Sequence, residues 1–184
     1  LGNAEIRTPN LDRLAQQGTT FTHAYNMGAW GGAVCVASRT MLVTGRTLFH
    51  AGADKGQLNQ RYLEPQQSWP QLLRAAGYRA ELTGKWHVNM DANRAFDAVQ
   101  HRRPGMPNQA ELGDNRPLDG QSDPGDPADP QPGGYWKGGT HWSEVVANDA
   151  IDMLNRDDDA PFFLYCAFNA PHDPRQSPRA NLDE

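Results

Sequence analysis

Phe162-Phe163-Leu164-Tyr165-Cys166-Ala167-Phe168 is the stretch on which the architecture turns. A continuous apolar run of this length is strand-sized and falls far short of the ~18 residues a membrane span requires. Introduced by Pro161, it suits a β-strand buried on both faces, as in parallel sheets covered by helices, and it makes Cys166 a core residue. Its carboxyl end runs into Asn169-Ala170-Pro171-His172-Asp173-Pro174, a turn that sets a histidine between two prolines.

Upstream of that run, Val146, Ala150, Met153 and Leu154 recur at helical spacing and predict a helix over 143–155. Asp157-Asp158-Asp159 then reads as a solvated helix-to-strand turn. A second helix is expected over 69–76, with Ser68 as cap, Leu72, Leu73 and Ala76 apolar, and Gly77 as stop. Tyr78 to Leu82 follows as a strand. A third helix is expected at 9–17, with Thr8 as cap, Pro9 at its first position, Leu11, Leu14 and Ala15 on one face, and Gly18 as stop. Thr19 to Tyr25 alternates weakly and reads as a strand, and Ser38 to Val43 reads as a helix stopped near Gly45. Helices alternating with strands predict an α/β fold, mainly a parallel sheet flanked by helices.

Composition narrows the functions available. The chain has 184 residues with 17 Lys and Arg against 22 Asp and Glu, a net charge of −5. That balance argues against a nucleic-acid or anionic-membrane surface, which needs a basic face. Half of the 14 prolines and 8 of the 18 glycines lie in residues 102–140, read as a long surface excursion that could wall a site. Trp136 and Trp142 either offer aromatic faces to a carbohydrate there or anchor the loop. Two cysteines permit at most one bridge and no disulfide framework. The chain starts at Leu1 without Met and stops at Glu184 without a closing element, which suggests a piece of a longer protein.

Open α/β sheets place their chemistry beyond the carboxyl ends of strands. Lys85 and His87 emerge after Tyr78–Leu82 and would project the same way if the backbone stayed extended. His172 emerges after the Phe162–Phe168 run. Taken alone, either histidine reads more readily as a surface or satisfied loop residue. Cys35 opens a helix, with Arg39 four residues on along the same face. A helix amino terminus and a guanidinium both favour a nucleophile or anion, although a free cysteine is as often a buried structural residue.

The stretch Cys35-Val36-Ala37-Ser38-Arg39-Thr40-Met41-Leu42-Val43-Thr44-Gly45-Arg46 closely resembles the signature of the type I sulfatases. Further blocks resemble the same family in the same order: Thr8-Pro9-Asn10-Leu11-Asp12-Arg13-Leu14, Gly84-Lys85-Trp86-His87, and Phe162 to Pro174. The resemblance implies part of a single catalytic domain of the alkaline-phosphatase-like α/β fold, whose first strand and C-terminal part lie outside the chain. It implies that Cys35 is oxidised to formylglycine by a maturase, its hydrated aldehyde supplying the nucleophile. Arg39 would hold the geminal diol and Lys85 would neutralise a sulfate oxygen. His87 would accept a proton so that sulfate is eliminated, and His172 would serve the leaving alcohol. The implied cofactor is a divalent metal, usually Ca²⁺, to which this chain would give only the modified Cys35. The implied substrate is a small sulfate ester, with a sulfated glycan as the leading guess.

Ala37 departs from the commonest form of the signature, which has Pro there, and leaves open whether an oxygen-dependent enzyme or a radical-type maturase acts on Cys35. A second sulfate-binding lysine and the remaining metal ligands are not in the chain, so the 184 residues alone are expected to be inactive. Alternatives are a phosphodiester or phosphonate monoester hydrolase of the same superfamily, a thiol hydrolase pairing Cys35 with His87 or His172, and a non-catalytic sulfatase-like binding fragment. Family habit points to a periplasmic or secreted protein.

Overall fold

A computed structural model describes residues 6–32, 34–105, 134, 136, 140–172 and 177. Its elements, in chain order, are α1 (Pro9–Gln17), α2 (Val34–Thr44), α3 (Leu48–Asp54), a π-helical turn (Asn59–Leu63), α4 (Trp69–Ala75), β1 (Arg79–Lys85), α5 (Ala92–Ala95), β2 (Ala98–Arg103), α6 (Trp142–Leu154) and β3 (Phe162–Ala167). The strands form a parallel sheet in the order β2-β1-β3, with Glu81 opposite both Ala98 and Leu164. Parallel neighbours require crossovers, and α6 precedes β3 as such a connection does.

The strand covered on both faces is β1, not β3. Every residue of β1 after Arg79 is buried, whereas Phe162 and Cys166 of β3 are exposed. Pairing explains the difference: β1 lies between two strands, and β3 pairs only with β1 among the described residues. Phe163 and Tyr165 still turn into the main core, which gathers Val43, Leu63, Leu82, Trp86 and Phe96. Alternation sends Glu81 and Thr83 to the other face of β1, where Thr83 Oγ1 donates to Asp149 of α6 at 2.6 Å. At the amino end of β1, Arg79 pairs with Glu81 and Asp158 and donates to the carbonyl of Met153, tying strand to helix.

Other expectations need correction. Residues 19–25 form no strand, and Phe21 and Tyr25 stand exposed there. α1 and α4 lie where expected, but Thr8 and Ser68 do not cap through their side chains. Thr8 bonds Asp12 and Ser68 bonds Gln71 instead. α4 buries Pro70 and Gln71 while Leu72 is exposed, and α1 buries nothing. β2 occupies residues assigned in part to the excursion. Its Gln, His and Arg side chains do not look like a strand, yet it needs only one apolar-facing edge against β1. Of the 102–140 excursion, 106–133, 135 and 137–139 lie outside the described residues, as do Asp173 and Pro174. Both cysteines are free.

Candidate active site

The signature folds as a helix because Ala37, Thr40, Val43 and Thr44 present one buried face to the rest of the molecule. Gly45, at φ +66°, ends α2 in the left-handed region. Cys35 is the second residue of this helix and half-buried. It therefore sits in the turn whose amide N–H groups lack intrahelical partners and carry the positive end of the dipole.

Arg39, one turn later, fastens α2 to the sheet. Its Nη1 donates to the main-chain oxygen of Lys85 at 2.5 Å and to the hydroxyl of Tyr165 at 3.2 Å. The guanidinium also lies 5.9 Å from the centroid of the Tyr165 ring. One side chain thus joins the start of α2 to the carboxyl ends of β1 and β3, where an α/β sheet is expected to place a site.

Between Lys85 and His87, Trp86 explains why the strand end is fixed. Its indole is buried, packs edge-on to Phe96 at 5.4 Å and Tyr165 at 6.0 Å, and donates to the carbonyl of Met90. Lys85 is 2% exposed, an unusual burial for an ammonium. His87 does not continue the strand: its φ is +50°, a conformation uncommon outside glycine. Lys85 and His87 are therefore not related by simple extended backbone, contrary to the expectation.

His87 is the electrostatic centre of the group. Burial, then the charges of Lys85, Arg39 and His172, hold its imidazolium below the ordinary histidine range. Its Nδ1 is buried with no hydrogen-bond partner among the described residues, an orphan of the kind that marks a strained or functional group. Gly105 lies against the ring, since a methyl added there would come within 3.5 Å of Nε2. His172 is exposed in the turn after β3, its main-chain N–H bonded to the carbonyl of Asn169 at 2.9 Å. The structure thus draws Arg39, Lys85, His87 and His172 together, with Cys35 one helical turn from Arg39.

Cys166 is exposed rather than core, on a strand that pairs only with β1 among the described residues. Desolvation and the nearby Asp149 carboxylate raise its thiol, which disfavours the nucleophilic thiolate. The Trp136 and Trp142 rings lie 4.8 Å apart, tilted by 33°, and both pack against Val145 and Val146 in one small apolar cluster. Sequence reasoning overlooked Tyr165, hidden as one more aromatic in an apolar run. It also overlooked Asp149, which accepts from Thr83 and from His101 Nδ1 at 2.8 Å behind the sheet.

Among the described residues no three His, Cys, Asp or Glu side chains gather as a metal site. Asp158 of the acidic turn is occupied with Arg79. A hard cation wants about six oxygen ligands, and these residues alone do not fit Ca²⁺.

The sulfatase family model matches residues 1–182. The chain belongs to the sulfatase family. Among its curated relatives, it is 30% identical over 178 residues to an N-acetylglucosamine-6-O-sulfatase of Bacteroides thetaiotaomicron, covering 93% of this chain and 27% of the relative. It is 28% identical to an N-acetylgalactosamine-6-sulfatase of Sus scrofa, covering 98% and 38%. A solved protein in complex with its substrate D-glucosamine-2-N,6-O-disulfate superposes with a TM-score of 0.59 at 26% identity, over 94% of this chain and 31% of that one. A crystal structure with bound k-i-k-neocarrahexaose, at a TM-score of 0.65 and 24% identity, covers 96% and 42% and speaks for the fold alone. This sulfatase chain spans roughly a third of the length of the relatives it matches and has their α/β, alkaline-phosphatase-like fold. No helix among its described residues is long and apolar enough to cross a membrane.

Proposed function

We propose that these residues form the nucleophile half of a sulfatase active site, within one catalytic domain, and that the intact protein hydrolyses a sulfate ester of a carbohydrate to alcohol and sulfate. The observation that carries this reading is the bond from Arg39 to the Lys85 carbonyl, which brings α2 to the carboxyl end of β1, beside a His87 whose imidazolium is disfavoured by burial and by the charges of Lys85, Arg39 and His172. Three positive or protonatable neighbours suit a small tetrahedral sulfuryl anion, and a histidine whose imidazolium is disfavoured suits a base. The sugar-sulfatase names of the relatives support the substrate class.

Converted to formylglycine, Cys35 would supply a hydrated aldehyde with one hydroxyl to attack sulfur and a second to drive release. Arg39, fixed by Lys85 and Tyr165, keeps its charge beside that position. Lys85 neutralises sulfate oxygen as charge builds in the transition state. The attacking hydroxyl yields its proton to solvent as its oxygen bonds sulfur, and His172 gives a proton to the departing alcohol oxygen. His87 takes a proton from the second hydroxyl as sulfate leaves. A water then restores the hydrate, so each turnover consumes one water. A maturase acting on Cys35, Ca²⁺ held mainly by residues beyond this chain, and a periplasmic or secreted location belong to the same reading and rest on family likeness.

Turnover of an aryl sulfate and of an aryl phosphodiester by the full-length protein tests it. The expected result is a clear preference for the sulfate ester, lost on Cys35→Ala. A preference for the phosphodiester would replace the assignment with the superfamily alternative.

A further inference from the structure

We propose that Trp142 is a positioning residue for His172, acting through Asn169. The inference rests on the reading of His172 as the proton donor to the leaving oxygen. Trp142 opens α6 and is 2% exposed. Its main-chain N–H donates to the carbonyl of Gly134 at 2.8 Å, and the guanidinium of Arg103 lies 4.2 Å from the centroid of its ring. A buried indole held this firmly must still satisfy its own N–H. It does so on Asn169 Oδ1 at 2.8 Å.

Asn169 is thereby bonded at both ends. Its side chain is held by α6, and its carbonyl accepts the main-chain N–H of His172 at 2.9 Å. The exposed His172 stands on a turn just past the end of β3, so the turn's anchorage governs where its imidazole can reach. The same indole carries Arg103, whose carbonyl accepts the N–H of Trp86, the residue before His87. One buried ring therefore links the strand ends that present the two histidines. Loss of the bond its N–H donates to Asn169 would loosen the β3 turn and leave the α2–β1 half of the site in place.

The test uses the full-length protein and a pair of aryl sulfates, 4-nitrophenyl and phenyl, which differ in leaving-group basicity. General acid assistance matters most for the more basic leaving group. His172→Gln is expected to lower kcat/KM for phenyl sulfate more than for 4-nitrophenyl sulfate. Trp142→Phe and Asn169→Ala are expected to show the same selective loss, about tenfold greater for phenyl sulfate. Either change combined with His172→Gln should add no further selectivity. Equal losses on both substrates in Trp142→Phe and Asn169→Ala, beside a selective loss in His172→Gln, would overturn the inference and leave the role of His172 standing. No selectivity in His172→Gln would remove that role and the inference with it. Asn169→Ala keeps the indole packing and decides the matter alone if Trp142→Phe does not fold.

Discussion

Gly84 adopts φ +95°, and a methyl on its α-carbon would lie 2.1 Å from the main-chain oxygen of Ala167. The β1–β2 register shifts at this residue, directly before Lys85. Gly84→Ala must therefore move β3 or unwind the strand end, at a cost of about 1–3 kcal/mol from backbone strain before the clash is counted. A fall in the denaturant midpoint with loss of turnover is expected; an unchanged midpoint would contradict the close approach. His87, three residues on, allows a second test. Burial and three positive neighbours depress it, so its titration midpoint should lie below the ordinary ~6.5. Removing one of those charges by Lys85→Met must favour the imidazolium and raise the midpoint. In the wild type the imidazolium is disfavoured by the fold, so stability is retained above about pH 6.5 and declines as pH falls toward the depressed value. Histidine NMR titration reads the midpoint directly, and a downward shift in Lys85→Met would count against the electrostatic arrangement.

Among the elements, β1 and the segment leaving it organise the site. Trp86 fixes that segment by burying its indole against Phe96 and Tyr165. Trp86→Ala should cost about 3–5 kcal/mol of stability, as large-to-small core changes do, measured as a lowered urea midpoint. A loss under about 1 kcal/mol would mean the ring is not the anchor described. How far these elements could be read from the sequence follows from what each one buries. α6 announced itself through Val146 and Met153, which are buried as their spacing implied, although Leu154 of the same set is exposed. β2 did not, because its residues alternate around His101 and Arg103 and pair along a single edge. α4 was located correctly but turned wrongly, since Pro70 and Gln71 face inward and Leu72 outward. Its burial depends on the bond from Gln71 to the Leu63 carbonyl, which no apolar pattern encodes.

For the molecule as a whole, the net charge of −5 coexists with a local cluster of opposite sign around His87. Local motifs exposed that cluster because Cys35, Arg39, Lys85, His87 and His172 stand in short, distinctive stretches. What they could not reveal was its support, since Tyr165, Asn169 and Trp142 act across more than twenty residues of sequence. Nor could they reveal that β3 is an edge among the described strands, as apolar length alone does not distinguish a central strand from a flanking one. The chain matches a third or so of its relatives' length. Arg39, Lys85 and His172 act on His87, Cys35 lies one helical turn from Arg39, and the chemical state of that cysteine decides the proposed mechanism. Peptide mass spectrometry of the Cys35 peptide from active full-length protein settles that state. The account predicts a residue that has lost its sulfur and gained an aldehyde oxygen, in proportion to activity. A fully active protein with an intact Cys35 thiol would contradict it.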